Sequence, residues 1–508
     1  MFFKLDSFAL IGVEAIKVSI EVHLSRGLPG LFLIGLPGKA VNESRQRVRS
    51  AILNSGFEFP VKKTIINLSP ADIKKEGSLY DLPIALSILA ASGHICHKKF
   101  ESSCFIGELF LDGMINPVRG LISMAEKAEE LEKEYFFVPR GIANQAVSFN
   151  KINIIPCSSL CETVDILEDD NIKRYILEHK IPAKIEMTRT RGPDFEEVKG
   201  QFKAKRALEI ATAGMHNILL IGPPGSGKTM FANRAISLMP DMDIKQRMEV
   251  TKIHSLCNGH IESLVNHRPF VNPHHTISWA GFIGGGANSK PGAISLAHRG
   301  ILFLDEFSQF PSELIEDLRQ PLENREVVIT RNQLSYSFPC SFMLIAATNP
   351  CKCGFWGDIG NACRCSEREV KRFWNNLSGP ILDRIDMRVF VSMLSEDDYI
   401  NSPCGESSLN IKKRVSSALA IQKLRYARSR IARYNSEAEQ KIINRWIRDK
   451  NVPGEIICRI GKRYKLSARG LSGIIKVART IADLDGSVKI KDGHIMESAG
   501  YRAVKIYE

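Results

Sequence analysis

The sequence predicts a multidomain α/β protein that ends in an all-helical module. Three observations carry this. Over residues 1–170, β-branched or alternating runs (GVEAIKVSIEVHLS, KKTIINLSP, INIIPC) interleave with helical stretches (KAVNESRQRVRSAILNSG, LYDLPIALSILAAS), as in layered α/β domains. From 193 to 400 a second α/β block holds short, wholly apolar strands that end in polar residues: NILLIG, GILFLDEF and FMLIAATNP. After Pro403 the pattern turns helical and basic, in IKKRVSSALAIQKLRYARSRIARY, EAEQKIINRWIRDKN and SARGLSGIIKVARTIADLDG.

Between the two α/β blocks, residues 171–192 are polar and charge-rich with no sustained apolar face, and read as a linker. The expected modules are therefore 1–170, 193–400 and 401–508. With 508 residues, each can bury its own core. Hydrophobic residues at 44% and charged residues at 25% argue against a disordered or fibrous chain. The net charge of +13 favours a polyanion partner such as nucleic acid, unless it is spread thinly over a large surface. Lys4, Asp6 and Glu14 interrupt any signal-peptide core. The longest apolar stretch, LPIALSILAASG, falls short of the ~20 residues a membrane span needs. A cytoplasmic protein with no membrane partner is expected, and its cysteines read as ligands rather than disulfides.

The most specific motif is Gly222-Pro223-Pro224-Gly225-Ser226-Gly227-Lys228-Thr229, preceded by an apolar strand and followed by a helix. This strand–loop–helix context is what a phosphate-binding P-loop requires. Its glycines let backbone N–H groups face the phosphates, Lys228 reaches the β- and γ-phosphates, and Thr229 holds Mg²⁺. A glycine-rich turn that binds nothing has no need of Lys-Thr at its end.

Asp305-Glu306 closes the strand ILFL. Acidic groups at the end of a buried strand are costly unless they hold a cation or water, so Asp305 reads as a metal ligand and Glu306 as the group polarising water. Together the two motifs make ATP hydrolysis the leading reading. Asn349, at the end of a third strand, is placed to sense the γ-phosphate, or simply caps a turn. Arg384 in SGPILDRID is an arginine finger acting across a subunit interface, or a surface ion-pair partner. A finger implies a ring.

Cys351, Cys353, Cys363 and Cys365 form two C-x-C pairs nine residues apart. Residues i and i+2 of an extended segment share a side, so each pair can offer two thiolates, with Gly354, Gly357 and Gly360 letting the chain fold back. Four sulfurs suit a structural Zn²⁺; an Fe–S cluster is the alternative metal, and four free thiols the alternative without one.

The runs EVKGQFKAKRALEIATAGMHNILLIGPPGSGKTM, RPFVNPHHTIS, PGAISLAHRGILFLDEF, AATNPCKCG, SGPILDRID and LSARGLSGIIKVARTIADL resemble the ComM/YifB family of magnesium-chelatase-like AAA+ ATPases. GLPGKAVNESRQRVRSAI and LSPADIKKEGSLYDLPIALSIL extend the resemblance over nearly the whole chain. It implies a homo-hexameric AAA+ ring, related to the magnesium-chelatase ATPase subunit and more distantly to the MCM helicases. It also implies branch migration of single-stranded or branched DNA during natural transformation, in company with recombination proteins. Lys228 and Thr229 then belong to Walker A and Asp305 and Glu306 to Walker B. Asn349 becomes sensor 1, Arg384 the finger and Arg469 sensor 2, near the start of a helix that would cover the nucleotide.

REVVITRNQLSYSFPC reads as a hairpin around Arg331-Asn332-Gln333. By similarity it projects into the ring pore, with Arg331 on DNA, and Lys290 in GFIGGGANSKPG marks its companion insert. Both are otherwise solvated loop tips. His274 and His275 read as positioning residues, since H-H alone is not a metal-site spacing. The N-terminal domain resembles the Lon-protease fold. There KKEGSLYDLP gives Gly77, Ser78 and Leu79, so Leu sits where the nucleophile belongs and a non-proteolytic scaffold is expected. The rival function is a chelatase-like or protein-remodelling ATPase without helicase activity.

Overall fold

The computed structural model describes residues 1–502, apart from 97–98, 170, 179–192, 258–260, 287–288, 332–333, 359–360, 395–399, 401–404, 430–431 and 450–451. The hairpin-tip residues Asn332 and Gln333, Gly360 of the cysteine segment, Pro403 and most of the expected linker lie outside the described residues. The chain divides into two compact units. One comprises 1–187 with 243–266 and 330–338; the other comprises 188–242, 267–329 and 339–508.

The first unit is built on a seven-stranded mixed sheet. Its strands are β1 (Phe2–Ile11), β2 (Glu14–Ser25), β3 (Gly30–Ile34), β4 (Lys63–Ser69), β5 (Ser103–Phe105), β8 (Tyr135–Pro139) and β9 (Asn153–Cys157), with β6 (Glu108–Leu109) and β7 (Ile115–Asn116) pairing separately. The order is β3-β4-β2-β1-β5-β8-β9. β1 and β2 are antiparallel from Phe2 opposite His23 to Ile11 opposite Glu14, while β5, β8 and β9 run parallel.

The apolar stretch in LPIALSILAASG is helix Asp81–Ser92, in which every residue from Asp81 to Ala91 is buried. A helix apolar on all sides belongs in a core. Its one charge, Asp81, is held by Arg47 Nε at 2.8 Å. No described helix is long and apolar enough to cross a membrane. The segment read as a linker opens with helix Ile172–Glu178, whose Ile172 is buried. Helix Ile244–Cys257 also belongs to this unit, and its Lys252 pairs with Glu126.

The second unit centres on a parallel sheet of β10 (Ile218–Ile221), β11 (Phe270–Val271), β14 (Ile301–Leu304), β17 (Met343–Thr348) and β18 (Met387–Phe390), in the order β11-β14-β17-β10-β18. β10, β14 and β17 are buried at every residue, which is why they read as unbroken apolar runs. Ile221 stands opposite both Thr348 and Phe390, so the strands end along one edge. Polar residues that follow those ends converge there.

Two small ribbons complete the strands: β12 (Gly284–Gly285) with β13 (Lys290–Pro291), and β15 (Glu326–Arg331) with β16 (Leu334–Pro339). The glycine-rich stretch is thus a ribbon rather than a plain loop. A Cβ on Gly284 would meet Ile329 Cδ1 at 3.0 Å, so bare backbone lets that side chain approach β12 closely.

Helices Ser408–Arg425, Gln440–Arg448, Gly454–Tyr464, Ala468–Leu484 and Asp492–Arg502 form the C-terminal module, with a core that includes Trp446, Ile474 and Ile495. Buried His216 fastens it to the sheet: Nδ1 meets Asp386 Oδ2 at 3.0 Å and Nε2 meets Thr480 Oγ1 at 2.7 Å.

Candidate nucleotide site and cysteine centre

At the strand edge lies a cleft of about 1290 Å³. The turn between β10 and helix Lys228–Leu238 forms one wall, with Gly225 at φ +77° and Gly227 at φ +88°, a conformation that glycine alone adopts without strain. Lys228 Nζ donates to the carbonyls of Gly222 and Pro223, both at 2.8 Å, and to Asn349 Oδ1 at 3.3 Å. Burial pulls its pKa below the ordinary lysine value, and nearby Asp305 opposes that pull.

Thr229 Oγ1 donates to Asp305 Oδ2 at 2.7 Å, joining the two expected Mg²⁺ ligands directly. Asp305 Oδ1 in turn accepts the Glu306 backbone N–H at 2.9 Å. Glu306 has φ +49°, rare for a residue with a side chain, and its carboxylate stands 3.4 Å from His275 Nδ1. Such strain is concentrated where geometry serves chemistry. The His275 and His274 rings pack at a tilt of 33° with centroids 4.1 Å apart, and both line the cleft.

Lys228, Thr229, Asp305, Glu306 and Asn349 therefore share one cleft. Arg384 and Arg469 do not line it. Both instead reach Glu323: Arg384 Nη2 lies 2.8 Å from Oε1, and Arg469 pairs with the same oxygen. Arg469, expected near the start of a helix that would cover a nucleotide, thus stands at Glu323 and not in the cleft of its own chain. Ser467 caps helix Ala468–Leu484 by accepting the Gly470 N–H at 3.1 Å, which points the first turn, with Arg469, at the helix carrying Glu323. Arg331 and Lys290 are exposed, one at the end of β15 and the other on β13.

Sequence reasoning missed Asn272, Lys352 and Arg372, which also line the cleft. Asn272 had a readable signal, a polar residue directly after a strand of the parallel sheet. Lys352 and Arg372 had none, because only the folded cysteine segment and helix Glu367–Asn375 bring these cations to the phosphate side. That helix opens with a capping box between Ser366 and Glu369.

The four cysteine ligand atoms lie within 4.8 Å of one another. Sγ separations are 3.3 Å for Cys351–Cys353, 3.4 Å for Cys353–Cys363 and 3.7 Å for Cys351–Cys363. Burial pushes the Cys353 thiol up, but backbone N–H groups of Phe355 and Arg364 and the neighbouring thiols bring it down to about 6. A closed tetrad of sulfurs with a ready thiolate fits a tetrahedral metal ion. Gly354, at φ +92°, sits where a Cβ would be 2.6 Å from Pro224 Cδ, so the tetrad rests on the phosphate loop.

A parallel sheet with β17 between the P-loop strand and the Asp305-Glu306 strand, and a helical module behind it, defines an AAA+ ATPase. Three family models match in succession. They are subunit ChlI of Mg-chelatase over 20–142, magnesium chelatase subunit ChlI over 194–399, and the ChlI C-terminal domain over 405–502. The chain belongs to the ComM/YifB family of magnesium-chelatase-like proteins. It is 37% identical over 500 residues to the competence protein ComM of Haemophilus influenzae, covering 98% of this chain and 97% of that one. To YifB of Salmonella typhimurium it is 39% identical over 512 residues, covering 98% and 96%. A distant likeness, 20% over 298 residues, links 56% of the chain to 32% of the DNA replication licensing factor MCM6 of Arabidopsis thaliana.

Proposed function

We infer that this protein is an ATP-hydrolysing ring motor that acts on branched or single-stranded DNA, as a branch-migration helicase in recombination during natural transformation. The observation that carries the reading is the placement of Arg384 and Arg469 together on Glu323, outside their own cleft. Cations that do not line their own subunit's cleft are suited to the phosphates of a neighbour, which makes assembly, as a homo-hexamer, a condition of turnover. Likeness to ComM and, distantly, to MCM6 supports DNA as the substrate, as do the net charge of +13 and the exposed cations Arg331 and Lys290.

In this reading the backbone from Gly222 to Gly227 cradles the phosphates, and Lys228 exchanges its carbonyl partners for the β- and γ-oxygens. Thr229 and Asp305 would hold Mg²⁺, which supplies charge neutralisation on the phosphates. Glu306, held by His275, takes the proton of the attacking water, and Asn349 orients that water. The cysteine tetrad would hold Zn²⁺ as a structural brace. The N-terminal unit serves as a non-proteolytic, Lon-like scaffold. Buried Leu79 occupies the nucleophile position there, and Ser78→Ala is expected to cost no peptidase activity. The protein works in the cytoplasm alongside recombination proteins.

The ChlI family models favour one second reading, a chelatase-like or protein-remodelling ATPase. DNA-stimulated ATP turnover separates the two. Stimulation that fades as salt rises supports the motor, and turnover indifferent to single-stranded and branched DNA supports the rival.

A further inference from the structure

Glu323 lies on the short helix Arg319–Asn324, whose Pro321 and Leu322 are buried and whose end is fixed by Arg325 at φ +59°. Its carboxylate is thus presented from an anchored backbone. Two guanidinium groups 85 positions apart in sequence converge on a single oxygen of that carboxylate, Arg384 at 2.8 Å and Arg469 from the C-terminal module. Like charges do not gather without a counter-ion, and one carboxylate leaves the trio with an excess positive charge.

Arg384 is itself constrained. Nη1 donates to Pro380 O at 2.8 Å and its backbone carbonyl accepts from Asn217 Nδ2 at 3.2 Å. Its Nε is buried with no hydrogen-bond partner among the described residues. Asn217 also accepts the Leu344 N–H at 3.0 Å, so one buried amide ties the arginine turn to β17, the strand that Asn349 directly follows. The trio therefore has a mostly buried, anchored side at Arg384 and a solvent-facing side, since Arg469 is about half exposed.

We propose that Glu323 is a positioning residue: its carboxylate sets Arg384 and Arg469 side by side as a two-guanidinium clamp for the γ-phosphate held by a second copy of this chain. The inference rests on the reading that Arg384 acts across a subunit interface. Glu323 touches no nucleotide in this arrangement. It fixes the spacing of the two cations and links their geometry to the position of the C-terminal module.

Subunit mixing with full-length protein tests it. Glu323→Gln keeps the shape and removes the charge; kcat for ATP is expected to fall about tenfold or more while KM changes less than about threefold. Lys228→Ala has a dead phosphate loop but an intact clamp. Mixed in equal amounts, Glu323→Gln supplies ATP sites and Lys228→Ala supplies clamps, so about a quarter of interfaces regain wild-type turnover. Activity in the mixture well above the mean of the two parents supports the proposal. Activity equal to that mean, while an Arg384→Ala and Lys228→Ala mixture does recover, overturns it and leaves Glu323 a local structural bridge. Failure of the Arg384→Ala mixture as well overturns the underlying interface reading. Unchanged kcat in Glu323→Gln overturns the clamp alone.

Discussion

Thr229 Oγ1 donates a hydrogen bond to Asp305 Oδ2 across 2.7 Å, although 76 residues separate them in sequence. The contact exists because β10 and β14 flank β17 and end along the same edge. Substituting either partner removes one of the two oxygens proposed to hold Mg²⁺. Asp305→Ala is expected to lower Mg²⁺-dependent ATP turnover by at least about a hundredfold. Glu306→Gln should retain ATP binding while losing about a hundredfold or more in kcat. Nucleotide-binding and turnover assays on the same samples check both.

His275 Nδ1 stands 3.4 Å from the Glu306 carboxylate, the group proposed to act on the attacking water. His275→Ala frees the Glu306 carboxylate, and kcat is expected to fall about tenfold with KM for ATP within about twofold. His275→Asn, which keeps a donor at similar reach, should recover most of the loss. An unchanged kcat in the alanine variant would remove His275 from the mechanism.

The cysteine tetrad yields a prediction about metal removal. Purified protein should carry about one zinc per chain, and Cys363→Ser should fall below about 0.3. Gly354→Ala tests the contact between the cysteine segment and the P-loop separately from metal binding. The added Cβ meets Pro224 Cδ at 2.6 Å in a left-handed conformation, so KM for ATP should rise while zinc stays bound. Elemental analysis beside ATP titration distinguishes the two effects.

Asp386 and His216 couple the sheet to the C-terminal module. Burial pushes Asp386 up, but His216, Lys476 and Arg502 hold it below its ordinary value of 3.8. A depressed carboxylate stabilises the fold fully above that value, and the stabilisation disappears as pH falls through the lower folded one. Asp386→Asn is expected to cost about 3 kcal/mol in a denaturant titration at neutral pH, and much less at pH values low enough to protonate the wild-type carboxylate.

Local chemistry was legible wherever contiguous residues carried it. The P-loop needs eight neighbours in order, and the apolar runs of β10, β14 and β17 mark a parallel sheet with no tertiary knowledge. The C-x-C pairs likewise marked the tetrad. Relations between distant segments were not legible. Nothing near Glu323 signals that residues 384 and 469 share its carboxylate, because an exposed acid on a short helix looks like any solvated residue. Helix Ile172–Glu178 escaped for a different reason: seven residues of mixed charge show little periodicity, and Ile172 is buried by its neighbours rather than by its own pattern.

The proposed coupling of ATP turnover in this cleft to movement of DNA is read out by ATP-dependent unwinding of a synthetic four-way DNA junction by the full-length protein, with Lys228→Ala alongside. Junction unwinding is expected from the wild type and none from Lys228→Ala, with ATPase stimulation by the junction that weakens with salt. Wild-type ATP turnover unaffected by DNA, with the junction left intact, would contradict it.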